Sequence, residues 1–177
     1  MPPGTPPPGQ GSPGQGTPGD RSNAVRLSDV MGRDRSINMF AGFARDVVSV
    51  CDRLDDLARN TTVLAPLNSA IEKLPLKPWE DASEYGALGT EAYEGDDGKE
   101  RAQRNLTRFV EAHLVPSSPW PEGRRVKPLG DDKEVWWEMK DGKRVLQPGD
   151  LEVASVGSTV ANGQIWIIKA HASAALL

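Results

Sequence analysis

The chain has 177 residues, a formal net charge of −4, one Cys and two His. Lys and Arg are mixed with Asp and Glu, so the strongly basic footprint of a nucleic-acid binder is missing and no nucleic-acid partner is expected. No apolar run reaches the ~18 residues of a membrane span, and the single Cys51 excludes an intramolecular disulfide.

Between Met1 and Asp20 the sequence holds seven Pro and six Gly and no large apolar residue after Met1. Such a stretch cannot bury enough surface to offset its chain entropy. Residues 1–22 are therefore expected to be a disordered Pro/Gly-rich tail sampling polyproline II and coil. Thr5, Ser12 and Thr17 near prolines fit either a plain linker or an O-glycosylated stalk. The start lacks the basic and apolar segments of a signal peptide. The protein is then either intracellular or numbered from after a removed signal. Residues 23–172 are assigned to one folded domain, since about 150 residues can close a single core, and 173–177 to a C-terminal tail.

Arg26 to Gly32 predicts a short helix. Ser36 then predicts the N-cap of a longer one, with Ile37, Phe40, Ala41, Ala44, Val47, Val48, Cys51, Leu54 and Leu57 in steps of three and four and a break near Cys51. On that stripe Cys51 is expected to be a buried, inert thiol. Thr61 to Ala65 reads as a buried strand ending at Pro66, and Asn68 to Leu74 as a short helix. Leu76 to Gly98 reads as irregular. A second amphipathic helix carries Ala102, Leu106, Phe109, Val110 and His113 and runs into a short strand that stops at Pro116. Ser117 to Gly130 is loop.

The last third reads as β. Glu134 to Lys140 is a strand, Asp141-Gly142 a two-residue hairpin turn with both residues at positive φ, and Lys143 to Leu146 the return. Leu151 to Val156 alternates, Asn162-Gly163 is a further turn, and Gln164 to Ile168 is a near-continuous apolar strand of a sheet interior. Helices first and hairpins last make an α+β fold.

The catalytic inventory is thin. Four Cys or His ligands for structural zinc are lacking, as are a Gly-x-Ser-x-Gly elbow, a dinucleotide-binding glycine pattern and a phosphate loop. The acids Glu91, Glu94, Asp96, Asp97 and Glu100 do not complete a calcium loop. No catalytic residue, metal or cofactor is assigned, and the chain is not expected to be an enzyme. Arg124, Arg125 and Lys127 read as solvated surface.

Two sequons, Asn60-Thr61-Thr62 and Asn105-Leu106-Thr107, are candidate N-glycosylation sites if the chain enters the secretory route. Trp79 and Trp120 lie in Pro-flanked loops, where an indole either caps the core or joins an aromatic binding patch. Trp136 and Trp137 are adjacent in a strand and point to opposite faces, so one can be core while the other is exposed, covered or part of a binding surface.

In order, three segments resemble one family. Thr61 to Ile71 resembles the first signature of fasciclin (FAS1) domains, a strand ending in Ala65-Pro66 followed by a short helix. Phe109 to Val115 resembles the family's helix-to-strand segment with its His113. Asn162 to Ile168 resembles the second signature, an Asn-Gly turn entering a final apolar strand. The loop Lys77-Pro78-Trp79-Glu80 and the Glu134 to Glu138 strand look most like fungal single-domain members, some of which are linked to the vacuole or the cell periphery. The resemblance implies a FAS1 fold, with β-sandwich-like strands and helices packed at one side. It implies a non-enzymatic binding or adhesion module of a secreted, cell-surface or vacuolar glycoprotein, with a protein or glycan partner. A monomer is expected. In some animal members a Tyr-His pair serves integrin binding; here the pair is Ala112-His113, so that role is not supported and His113 reads as structural. The alternative function is a small-molecule, lipid or glycan binder using Trp79, Trp120 and one of Trp136 or Trp137.

Overall fold

The computed structural model describes residues 23–171, together with Gly4; the expected tails 1–22 and 173–177 lie otherwise outside the described residues. Six strands form one curled sheet in the order β2-β1-β6-β5-β4-β3. They are β1 (Thr61–Pro66), β2 (Leu114–Val115), β3 (Trp136–Lys140), β4 (Lys143–Gln147), β5 (Leu151–Val160) and β6 (Gly163–Ile168). β1 and β6 are parallel, with Thr61 opposite Gly163 and Pro66 opposite Ile168. The other pairings are antiparallel. All six residues of β1 are buried, as a strand covered on both faces requires.

Alternation along the strands divides the interior in two. Val63, Ala65, Leu114, Ile165 and Ile167 face a helical layer. Leu64, Val115, Trp166 and Ile168 face the other way, into a cluster with Trp120, Val135, Trp137 and Leu146. The helical layer comprises α1 (Leu27–Val30), α2 (Asn38–Arg45), α3 (Val48–Asp55), α4 (Asn68–Glu72), α5 (Ala82–Leu88) and α6 (Gly95–Glu111).

The expected long helix is two helices. Asp34, not Ser36, caps the entry by accepting from the Ser36 backbone N–H at 2.8 Å, and a 3-10 turn (Arg35–Ile37) precedes α2. The break falls at Asp46–Val47 rather than near Cys51. Val47 is extended, at φ −113° and ψ 106°, and only 2% exposed. Adjacent β-branched Val47 and Val48 weaken a helix locally. The break also lets α2 bury Phe40, Ala41 and Ala44 while α3 buries Val50 and Leu54. Cys51 is half-buried rather than fully buried, with its thiol against the carbonyls of Ala44 and Arg45. The segment expected to be irregular contains α5, capped by Asp81 accepting from Ser83 N–H. It also contains the first turn of α6, where Asp96 and Asp97 complement the helix dipole.

The β3–β4 turn is as expected, with Asp141 at φ 51° and Gly142 at φ 77°. At the other signature the connection is Ala161–Asn162, and Gly163 opens β6 instead of belonging to the turn. A Cβ on Gly163 would stand 1.8 Å from the Thr61 carbonyl oxygen, so only glycine allows β1 and β6 to approach there. Asn162 is fully buried. Its side chain accepts from Leu27 N–H at 2.8 Å and donates to the carbonyls of Leu54 at 2.8 Å and Asp56 at 3.2 Å. It thereby ties α1 and the end of α3 to the start of β6.

His113 is 0% exposed, between the rings of Phe40 at 5.3 Å and Phe109 at 4.7 Å. Its Nδ1 lies 2.7 Å from the Phe109 carbonyl. A carbonyl can only accept, so the neutral ring carries its proton on Nδ1. This burial leaves no surface for a partner and removes His113 from the candidate binding residues.

Two outcomes follow. Asn162→Ala strands a buried N–H and two carbonyls and should lower stability by about 3 kcal/mol in urea denaturation. Burial holds the His113 pKa down at about 4, against 6.5 for the free side chain. The unfolded chain therefore takes this proton first, so the contribution is complete above pH 6.5 and is lost as pH falls towards 4. That loss amounts to about 3 kcal/mol. Hydrogen bonds hold the carboxyls of Asp34, Asp81 and Asp150 below their ordinary range, so their share is lost only at lower pH. Urea midpoints of His113→Gln should accordingly vary less between pH 6.5 and 4.5 than those of the native chain; equal slopes would contradict this assignment.

Candidate functional site

The indoles fall into distinct roles. Trp166 stacks on Trp120, with centroids 5.4 Å apart, and meets the edge of Trp137 at 5.6 Å. Each indole N–H has an acceptor at 2.9 Å: the Arg124 carbonyl for Trp120, the Trp120 carbonyl for Trp137 and Gln164 Oε1 for Trp166. The Arg144 guanidinium lies 4.8 Å from the Trp137 ring and 4.9 Å from that of Trp166. Trp120 is 3% exposed and Trp137 9%. Both are core residues, and neither is the exposed binding tryptophan that the sequence allowed. The curl of the sheet carries β3 over β6, and loop 116–128 brings Trp120 in as their cover. Trp136, on the outer face of β3, is half-buried beneath the Arg125 guanidinium at 4.2 Å. Arg125 thus has a stacking partner and is not a freely solvated charge.

Trp79 is placed differently. It is half-buried beside Phe43 at 6.2 Å, with the Lys77 ammonium 5.3 Å from its ring. A groove of about 370 Å³ runs between α2, α4 and the following loop, lined by Met39, Phe43, Ile71, Leu74 and Trp79 with Pro75 and Pro78 at its wall. This is within the size range of small-ligand sites, which run from about 300 Å³ upward. Met39 and Phe43 lie beside the helical core stripe rather than on it, so periodicity alone does not single them out. Their spacing of four marks a second apolar row on α2.

Asn105 sets the position of the Trp79 loop. It is 8% exposed, and its Nδ2 donates to the Trp79 carbonyl at 3.0 Å and to Glu84 Oε2 at 3.0 Å. The Tyr93 hydroxyl donates to Glu84 Oε2 at 2.8 Å and accepts from Asp81 N–H at 2.6 Å. The Tyr93 bond, with Asn105 and Arg104, holds the Glu84 carboxyl below its usual range. A glycan on Asn105 would need the amide nitrogen that this network occupies, so the folded geometry opposes glycosylation there. Asn60 is exposed and its Nδ2 makes one bond, to the Ser118 carbonyl at 3.2 Å.

Among the described residues no group of three or more His, Cys, Asp or Glu is arranged to hold a metal ion. No helix among them is long and apolar enough to cross a membrane.

No protein-family model matches the sequence. Curated fungal relatives do. A FAS1 domain-containing protein of Neurospora crassa is 68% identical over 147 residues, covering 83% of this chain and 64% of the relative. FAS1 domain-containing proteins of Aspergillus fumigatus and Emericella nidulans are each 47% identical, covering 81% and 83% of this chain and 61% of each relative. The chain therefore spans less than two thirds of the length of these relatives. Among solved structures, a FAS1 domain pair from the insect cell adhesion molecule Fasciclin I matches with a TM-score of 0.56 at 14% identity, covering 83% of this chain and 50% of that one. That likeness carries the fold alone. With the fungal relatives beside it, the chain belongs to the FAS1 domain family.

Proposed function

We propose that the chain is a non-enzymatic FAS1 binding and adhesion module of a secreted, cell-surface or vacuolar protein, and that it engages a protein or glycan partner through the Trp79 groove. One observation carries this reading: an accessible indole set in a preformed apolar groove, held from behind by Asn105, Glu84 and Tyr93. Aromatic side chains in such settings supply large contact area at small entropic cost. The alternative, a small-molecule, lipid or glycan binder, rests on the same residue, since Trp120 and Trp137 belong to the core and the Trp136 ring is covered by Arg125.

Trp79→Ala and Met39→Glu should each weaken binding of the purified chain to fungal cell-wall material at least about fivefold, as loss of an anchor contact does. Trp136→Ala should leave it unchanged. Equal retention of all variants would sink the groove assignment. For the compartment, the chain expressed through a yeast secretory route should carry an endoglycosidase-sensitive glycan at Asn60 and none at Asn105. Asn105→Ala should cost about 2 kcal/mol through the stranded Trp79 carbonyl, whereas Asn60→Gln should leave stability nearly unchanged. An unmodified Asn60 on native protein would count against the secretory reading.

A further inference from the structure

A second pocket, which shares no lining residue with the Trp79 groove, lies where the α1–α2 connection crosses β5 and β6. It measures about 320 Å³. Its floor is the aliphatic set Val30, Ile37, Ile165 and Ile167, each at most 5% exposed. One wall is Gly157, and β5 is irregular there. Val156 faces Trp166 and Ser158 faces Ile165, so Gly157 is the extra, unpaired residue of a bulge. Bulges recur where a strand is bent to shape a site. A Cβ here would meet Ile167 Cδ1 at 3.4 Å, an ordinary contact, so a small side chain would fit and a branched one would extend over the wall.

The rim carries Arg33 and Arg35, both exposed, and neither forms an ion pair among the described residues. Asp34 stands between them, but its carboxylate is committed to the helix entry, accepting from Ser36 N–H at 2.8 Å and from Ser36 Oγ at 2.6 Å. The rim has one net positive charge from two guanidiniums, each able to grip a carboxylate with paired N–H donors. An aliphatic floor below and an uncommitted guanidinium pair above suit one ligand chemistry, an alkyl chain with a single anionic head. At about 320 Å³ the pocket is at the small end of ligand sites, which favours a medium-length chain over a whole phospholipid.

We infer that this pocket binds an aliphatic monocarboxylate of the fatty-acid class, its head on Arg33 and Arg35 and its chain over Ile165 and Ile167 beside Gly157. Calorimetric titration of the full chain with decanoate, below its micelle concentration, should show saturable binding at one site. The double variant Arg33→Ala/Arg35→Ala should weaken decanoate about tenfold, the effect of losing charge-assisted bonds, and should leave the weaker binding of decanol unchanged. Gly157→Val should abolish both, with its urea midpoint confirming that the chain still folds. Trp79→Ala should change nothing, which separates this pocket from the groove of the proposed function. Absence of saturable decanoate binding, native-like binding by the arginine variant, or loss of binding on Trp79→Ala would each overturn the assignment. So would tighter binding of an Asp/Glu-rich peptide than of decanoate, which would hand the site to a protein partner.

Discussion

The parallel pairing of β1 with β6 is the constraint around which the domain is arranged. Thr61 and Gly163 are register partners although roughly a hundred residues of chain separate them, and contacts of such span are slow and entropically costly to form. The pair is stable because both of its faces are covered, by helices against Val63, Ala65, Ile165 and Ile167 and by indoles against Leu64 and Trp166. Asn162 adds a polar tether at the point where the strands meet. It bonds α1 and the end of α3 through its side chain, while its own carbonyl accepts from Thr61 N–H at 3.0 Å. A buried polar group with its bonds satisfied specifies one arrangement, whereas an apolar residue there would tolerate several.

Much of this was legible in residue order. β1 and β6 announce themselves as β-branched and apolar runs bounded by Pro66 and by Asn162-Gly163, and the Asp141-Gly142 turn needs only its two residues to be read. What escaped has physical causes. The helix break at Val47 is invisible to periodicity, because an extended residue with its side chain in the core continues the same apolar spacing. α5 buries none of its residues and so presents no stripe; its start and stop lie in the Asp81 cap and in Gly89 at φ 69°. Asn162 looked like a turn residue because Asn before Gly usually is one. Its role as a tether depends on α1 and α3, which arrive from more than a hundred positions earlier.

The candidate site shows the same division. Trp79 and Trp120 are alike in the sequence, each an indole in a proline-flanked loop. They part only in three dimensions. Trp120 is roofed by the curl of the sheet and hydrogen-bonded to the Arg124 carbonyl, whereas Trp79 leans on Phe43 at the rim of a groove. The two sequons part in a similar way. Each satisfies the same three-residue rule, yet the amide of Asn105 is spent inside the domain on the Trp79 carbonyl and Glu84, while Asn60 is exposed and its amide holds only the Ser118 carbonyl.

The placement of the indoles has a consequence for how the domain can be watched. Trp120, Trp137 and Trp166 are packed together on one side of the sheet, while the layer on the other side is built from Leu, Ile, Val, Ala, Phe and Met31 with Trp79 at its margin. Two stacked indoles 5.4 Å apart couple optically, so near-ultraviolet dichroism and fluorescence speak mainly for the strand side. The far-ultraviolet signal speaks mainly for the helices. The molecule carries its own pair of independent gauges, one for each half of its interior, and needs no added label to show whether the two halves come apart together.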